Sequence, residues 1–270
     1  MIIQTANVST IRRFCERLNA DSLVLWDVDG TLIYANDVLF YPQNLGRANQ
    51  DALIHELEEL ENKKLDPMYI RARWYDAFRQ LPFLLMDKEL PGIIKDLQSR
   101  SITNIAITLL KTCTYDGRSF MDWRRDQLKY FGIDFSPAFA SYGPMEMPEI
   151  LEAYGLQASV KDWIYPPLYD KGILLAAQFS KDFCLASLLR RIDFCPKRIL
   201  FVDDLLENIQ MVAKYCEGQG IDFIGIHYTA YQDLPNGETW SLGLIKKKWE
   251  YYQKNNVWLM DANASGCIIP

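Results

Sequence analysis

A chain of 270 residues, 49% of them hydrophobic, can bury one large core, or a core and a smaller companion, without help from disulfides. Its net charge of -6, from 29 basic and 35 acidic residues interspersed along the chain, offers no basic stripe for a nucleic-acid backbone, which excludes nucleic acid as the default partner. The six cysteines, Cys15, Cys113, Cys184, Cys195, Cys216 and Cys267, form no C-x-x-C pair, and two histidines are too few for a zinc site, so reduced thiols in a cytoplasmic setting are expected.

The start of the chain, up to Ala20, carries Arg12, Arg13, Glu16 and Arg17 and lacks a signal-peptide core. No run of about 18 apolar residues occurs anywhere, so the expectation is a soluble, cytoplasmic protein with no transmembrane segment. Leu23 to Trp26 is a continuous apolar run, the pattern of a strand buried on both faces, and it ends in Asp27. From Tyr34 to Pro91 the period changes to that of helices, through Leu53, Ile54, Leu57 and Leu60 and again over Tyr69 to Gln80, which predicts a helical cap at 34–91. Tyr69, Arg71, Arg73, Trp74, Tyr75, Phe78 and Arg79 mix aromatic faces with guanidinium groups there. That mixture suits an anionic or aromatic phosphorylated compound, although aromatics at helical spacing more often form an element's own core.

Further apolar runs follow at Asn104 to Leu109, Arg198 to Val202 and Asp222 to His227, separated by helical patterns at 92–99, 119–131, 182–191 and 205–216. Residues 135–178, rich in proline and with a β-rich run at 172–177, read as a smaller irregular insertion. A last helix at 239–254 places Leu242, Ile245, Trp249 and Tyr252 on one face, spaced to pack onto the sheet. The tail Cys267-Ile268-Ile269-Pro270 has the outline of a prenylation box but not its usual last residue, and His55 and His227 read as structural. Strands alternating with helices predict an α/β fold: a doubly wound, Rossmann-like parallel sheet core at 1–33 and 92–270, with the 34–91 helical cap inserted after its first strand.

Ligands of open α/β sheets bind at the carboxyl ends of the strands, which draws attention to Asp27, Asp29, Thr108 and the pair Asp203-Asp204. Carboxylates crowded at one edge repel unless a cation sits among them, and Mg²⁺ held by Asp27, Asp29, Asp203 and Asp204 meets that need. Such a site suits phosphate chemistry, with Asp27 as nucleophile forming an aspartyl-phosphate and Asp29 as general acid and base. Gly30 permits a close turn whose amides, with Thr31, can cradle phosphate oxygens. An isolated Asp-Gly is commonly only a turn signal. D-x-D-G-T directly after a buried strand is rarer, since the four residues alone would recur by accident in about one chain in several hundred of this length.

The segment Asp27-Val28-Asp29-Gly30-Thr31 resembles the first motif of the haloacid-dehalogenase-like superfamily, and the other motifs follow in order. Thr108 resembles the second, a hydroxyl that binds the transferred phosphoryl group. Lys181 resembles the third, an ammonium that offsets charge on nucleophile and phosphate, with Lys171 as the competing candidate. Asp203-Asp204, with Asn208 in the next helix, resembles the fourth, which holds Mg²⁺. The stretches D-Q-L-K-Y-F-G-I-D-F, Y-D-K-G-I-L-L, G-I-H-Y-T and W-L-M-D-A-N-A are similar to a bacterial branch known only as a domain of unknown function. The resemblance implies a Mg²⁺-dependent phosphatase acting on a small-molecule or protein phosphomonoester. A phosphotransferase or phosphomutase using the same intermediate, or a catalytically silent binding protein of the same fold, is the alternative.

Overall fold

The structure is a computed structural model and describes residues 1–41, 67–113, 118–159, 164–234 and 241–260. In chain order it holds β1 (Ile2–Thr5), α1 (Val8–Cys15), β2 (Ser22–Trp26), β3 (Ile33–Ala35), α2 (Pro67–Gln80), β4 (Phe83–Leu85), α3 (Leu90–Ser99), β5 (Thr103–Thr108) and α4 (Phe120–Tyr130). There follow β6 (Met145–Glu146), α5 (Pro148–Ala153), β7 (Leu168–Asp170), β8 (Ile173–Leu175), α6 (Lys181–Arg191), β9 (Arg198–Asp203), α7 (Leu206–Gln219), β10 (Asp222–Tyr228) and α8 (Leu242–Asn255). The predicted helical stretch around Leu53 to Leu60, His55, the side chains of Tyr69 and Arg71, and Cys267 lie outside the described residues.

Eight strands form one sheet in the order β1-β10-β9-β2-β5-β8-β7-β6, and β3 pairs with β4 separately. Pairing is parallel from β1 to β8 and antiparallel from β8 through β7 to β6. The chain is therefore α/β with a mostly parallel central sheet flanked by helices, consistent with a Rossmann-like fold. The continuous apolar runs have the cause expected of them: every residue of β2 is buried. Alternate residues Leu23 and Leu25 of β2, Ile105 and Ile107 of β5, and Ile199 and Phe201 of β9 join one cluster with Leu185 and Leu188 of α6 and Ile209 and Val212 of α7. The intervening residues Val24, Trp26, Ala106, Leu200 and Val202 are buried as well, so the second face is covered too.

Residues 135–178, read from the sequence as a smaller irregular insertion, have β8 within their β-rich run at 172–177. They supply β6, β7 and β8, which widen the sheet beyond β5. The turn between β7 and β8 is the reason: Lys171 (φ 46°) and Gly172 (φ 78°) both adopt the left-handed conformation that a two-residue hairpin requires. β1, which periodicity did not reveal, is a four-residue edge strand whose exposure alternates.

The chain divides into two compact units, Met1–Leu32 with Leu85–Ala230 and Ile33–Leu84 with Tyr231–Pro270. The first contains the central sheet. α8, expected to pack on that sheet as part of a 92–270 core, belongs instead to the second unit with α2. Ile245, Lys248, Trp249 and Tyr252 of α8, at i, i+3, i+4 and i+7, are all buried. Lys248 occupies this apolar stripe because its ammonium pairs with Asp37, itself fully buried, whose Oδ2 also accepts from Trp258 Nε1 at 2.9 Å. Around this pair Phe40 stacks on Trp74 with ring centroids 4.3 Å apart, and Trp258 meets Phe40 edge-on at 5.6 Å.

Candidate active site

Because β10, β9, β2, β5 and β8 run parallel, their carboxyl ends share one edge of the first unit. β2 and β9 are in register with Trp26 beside Val202, and the Asp27 amide donates to the Val202 carbonyl at 2.9 Å. Asp27 is thereby held next to Asp203, while Thr108 closes β5 on the other side of β2. After Val28 the backbone turns, with Leu32 N donating to Val28 O at 3.0 Å, and Gly30 takes φ 90°, a conformation that glycine adopts without strain. Gly30 and Thr31 are buried in this turn beside the strand end.

Lys181 opens α6 and joins the two acidic strand ends. Its Nζ donates to Asp27 Oδ1 and, at 2.7 Å, to Asp203 Oδ2, and its side chain is 1% exposed. The competing Lys171 is exposed at the tip of the β7–β8 hairpin, so Lys181 is the lysine that meets the carboxylates. Asp203 is the most fully held of the acids. Besides Lys181 it accepts from the Leu205 amide at 2.8 Å and from Asn208 Nδ2, 3.1 Å from each oxygen. His227, at the end of β10, lies 3.0 Å by Nε2 from the Asp204 carbonyl and supports the backbone there.

The electrostatics follow from burial. Desolvation pushes the Asp27 carboxyl up to about 7; the Lys181 ammonium opposes the rise and the Asp203 charge adds to it. Asp204 is raised well above the carboxylate range, first by burial and then by Asp27 and Asp203. For Lys181, burial alone would lower the pKa, but the charges of Asp203 and Asp27 outweigh it and hold the ammonium above its ordinary value.

Asp27, Asp203 and Asp204 each offer a carboxylate oxygen, and these oxygens lie within 4.8 Å of one another. Three carboxylates, once ionised, against one ammonium would carry two uncompensated negative charges in a buried space. Hard oxygen donors with that residual charge fit a divalent cation of the Mg²⁺ kind. Asp29 is not part of this group, contrary to expectation. Its carboxylate is taken by Arg124 Nη2, at 2.8 Å from Oδ1 and 2.7 Å from Oδ2, and it accepts from Thr108 Oγ1 at 3.3 Å. Thr108 is in place at the site but its hydroxyl is directed to Asp29.

Arg124 is the site residue that periodicity missed. It stands between Phe120 and Leu128 at spacings of four on the buried stripe of α4, where a charged residue must find a buried partner. The sequence pattern predicts the helix at 119–131 without singling out that position.

No solved structure matches the chain. It is similar to a protein named "Putative outer membrane protein" from Chlamydia trachomatis serovar D, 21% identical over 231 residues that cover 84% of this chain and 78% of that one. The cytoplasmic location expected from the sequence does not stand beside that name. No described helix is long and apolar enough to cross a membrane, but a chain without such a helix is compatible with several compartments, which is why the sequence pattern did not decide the question. The model of a family described as "Protein of unknown function (DUF2608)" matches residues 4–265, and the chain belongs to that family.

Proposed function

We propose that the protein is a Mg²⁺-dependent phosphomonoester hydrolase of the haloacid-dehalogenase-like kind that works through an aspartyl-phosphate on Asp27. The observation that carries this reading is the buried group of Asp27, Asp203 and Asp204 with Lys181 between two of its members, at the carboxyl edge of a parallel sheet. Asp27, Asp203 and Asp204 are the residues that would hold the cation, and when bound it supplies charge neutralisation for carboxylates and phosphate.

The chain's own groups have these roles. An Asp27 oxygen attacks phosphorus, the ester P–O bond breaks, and its electron pair goes to the leaving oxygen, which takes a proton from Asp29. Water then attacks phosphorus and gives a proton to Asp29, and the acyl-phosphate bond breaks with its electrons returning to Asp27. Lys181 offsets charge on nucleophile and phosphate, and the backbone turn at Gly30 and Thr31, with Thr108, receives the phosphoryl oxygens. The stretch that follows this turn in the chain, 34–91, is proposed as the cap that selects the phosphorylated substrate.

Phosphate release from a panel of small phosphomonoesters and phosphopeptides, with Mg²⁺ and with a chelator, tests the reading. Wild type should release phosphate only with the metal, and Asp27→Asn should lose at least about a thousandfold. A wild type as inert as the variant that still binds ligand would mark a silent binding protein instead.

A further inference from the structure

We infer that Arg124 is a positioning residue for Asp29, keeping the acid–base carboxylate separate from the cation-binding carboxylates. The inference rests on the hydrolase reading of the same site. Asp29 stands two residues from Asp27 on one tight turn, yet its side chain does not join Asp27, Asp203 and Asp204. One terminal nitrogen of Arg124 spans both of its oxygens, and Thr108 donates to the second.

Arg124 is itself immobilised. Its side chain is 0% exposed, Nη1 donates to Gln127 Oε1 at 2.6 Å, and the guanidinium lies 4.9 Å from the centroid of the Trp123 ring. Asp29, by contrast, keeps 28% of its side chain in solvent. A rigid cation that engages both oxygens fixes where a carboxylate faces. The Asp29 oxygens face Arg124 and Thr108, which holds them away from a cation site that would otherwise compete for them, while the exposed part of the side chain stays accessible to substrate and water. α4 follows β5, so the strand that brings Thr108 to the edge also delivers the helix carrying Arg124.

A positioning role makes a prediction that a packing role does not. Proton donation matters most when the leaving alkoxide is basic, so loss of Arg124 should penalise alkyl phosphates more than aryl phosphates. The experiment is steady-state kinetics with Mg²⁺ on glycerol phosphate and on p-nitrophenyl phosphate. It uses wild type, Arg124→Lys, Arg124→Ala, Asp29→Asn and the Arg124→Ala/Asp29→Asn double variant.

For Arg124→Ala, kcat on glycerol phosphate should fall about a hundredfold with KM within about threefold, and kcat on p-nitrophenyl phosphate should fall less than about tenfold. The double variant should be no worse than Asp29→Asn, and Arg124→Lys should recover part of the loss. Because Arg124 is buried, Gln127→Ala provides a milder variant that loosens the guanidinium without removing it, and it should show the same leaving-group pattern at smaller size.

Equal losses on both esters, a loss seen mainly in KM, or additive effects of the two substitutions would overturn the positioning role while leaving the hydrolase reading intact. An inert wild type would overturn both.

Discussion

Removing the ammonium of Lys181 leaves Asp27, Asp203 and Asp204 crowded in a buried space with no compensating charge. Lys181→Met should destabilise the metal-free protein by about 3–5 kcal/mol, and added Mg²⁺ should restore part of the loss in thermal unfolding. An unchanged Tm would mean that the acids do not depend on this cation. The raised pKa of Asp27 gives a second expectation, with its sign set by linkage. Its folded value of about 7 exceeds the ordinary 3.8, so the stability it contributes is complete below 3.8 and is lost as pH rises toward about 7. Metal-free protein should therefore unfold more readily at about pH 8 than at about pH 5 as far as this group acts. Mg²⁺, which needs the ionised oxygens, should bind with increasing affinity across the same interval. Calorimetric titration at several pH values measures this directly, and flat affinity would contradict it. Among the described residues the buried basic side chains are Arg124, Lys181 and Lys248; Arg124 and Lys248 interrupt apolar helical stripes, Lys181 opens one, and each faces a carboxylate. That interruption is visible in the sequence, but the partner is not. Lys181 was found through a motif, while Arg124 and Lys248, which belong to no motif, were passed over.

At the scale of elements, the sheet depends on how its turns close. The β7–β8 hairpin allows β8 to lie parallel to β5 and so carries the chain back to the start of α6, where Lys181 stands. A Cβ on Gly172 would lie 2.0 Å from the Phe135 carbonyl oxygen, which is backbone and has little room to give, and φ is 78° besides. Gly172→Ala should cost about 2 kcal/mol or more in chemical denaturation and should displace Lys181 enough to weaken Mg²⁺ binding. Full stability in that variant would show that the hairpin yields easily. The four long parallel strands, β2, β5, β9 and β10, were legible because each is an apolar run covered on both faces. β8 was visible as the β-rich run at 172–177, but β6 and β7 were not, because they have two or three residues each, too few to display a period of two, and the prolines around them read as loop. β1 failed for the same reason, as a short edge strand with only half of its side chains sheltered.

For the whole molecule, α8 shows what local patterns leave undetermined. Its apolar face was visible, but the compact unit to which it belongs was not. The second unit joins Ile33–Leu84 to the C-terminal segment, and within it the fully buried Lys248–Asp37 pair links α8 to the residues after β3. Lys248→Ala would remove the buried ammonium that faces the buried Asp37 carboxylate. It should destabilise the protein by about 3–5 kcal/mol and make α8 sensitive to protease, whereas replacing both partners with apolar residues should restore much of the stability. The candidate active site lies in the first unit, and its central claim is that Asp27 itself carries phosphate during turnover. The most direct measurement is rapid acid quench of the protein with Mg²⁺ and a radiolabelled phosphomonoester substrate identified from the panel, followed by peptide mapping. The account predicts label on the peptide containing Asp27, stable in acid and lost in base, and absent from Asp27→Asn. Turnover with no label there, or label retained in the variant, would contradict it.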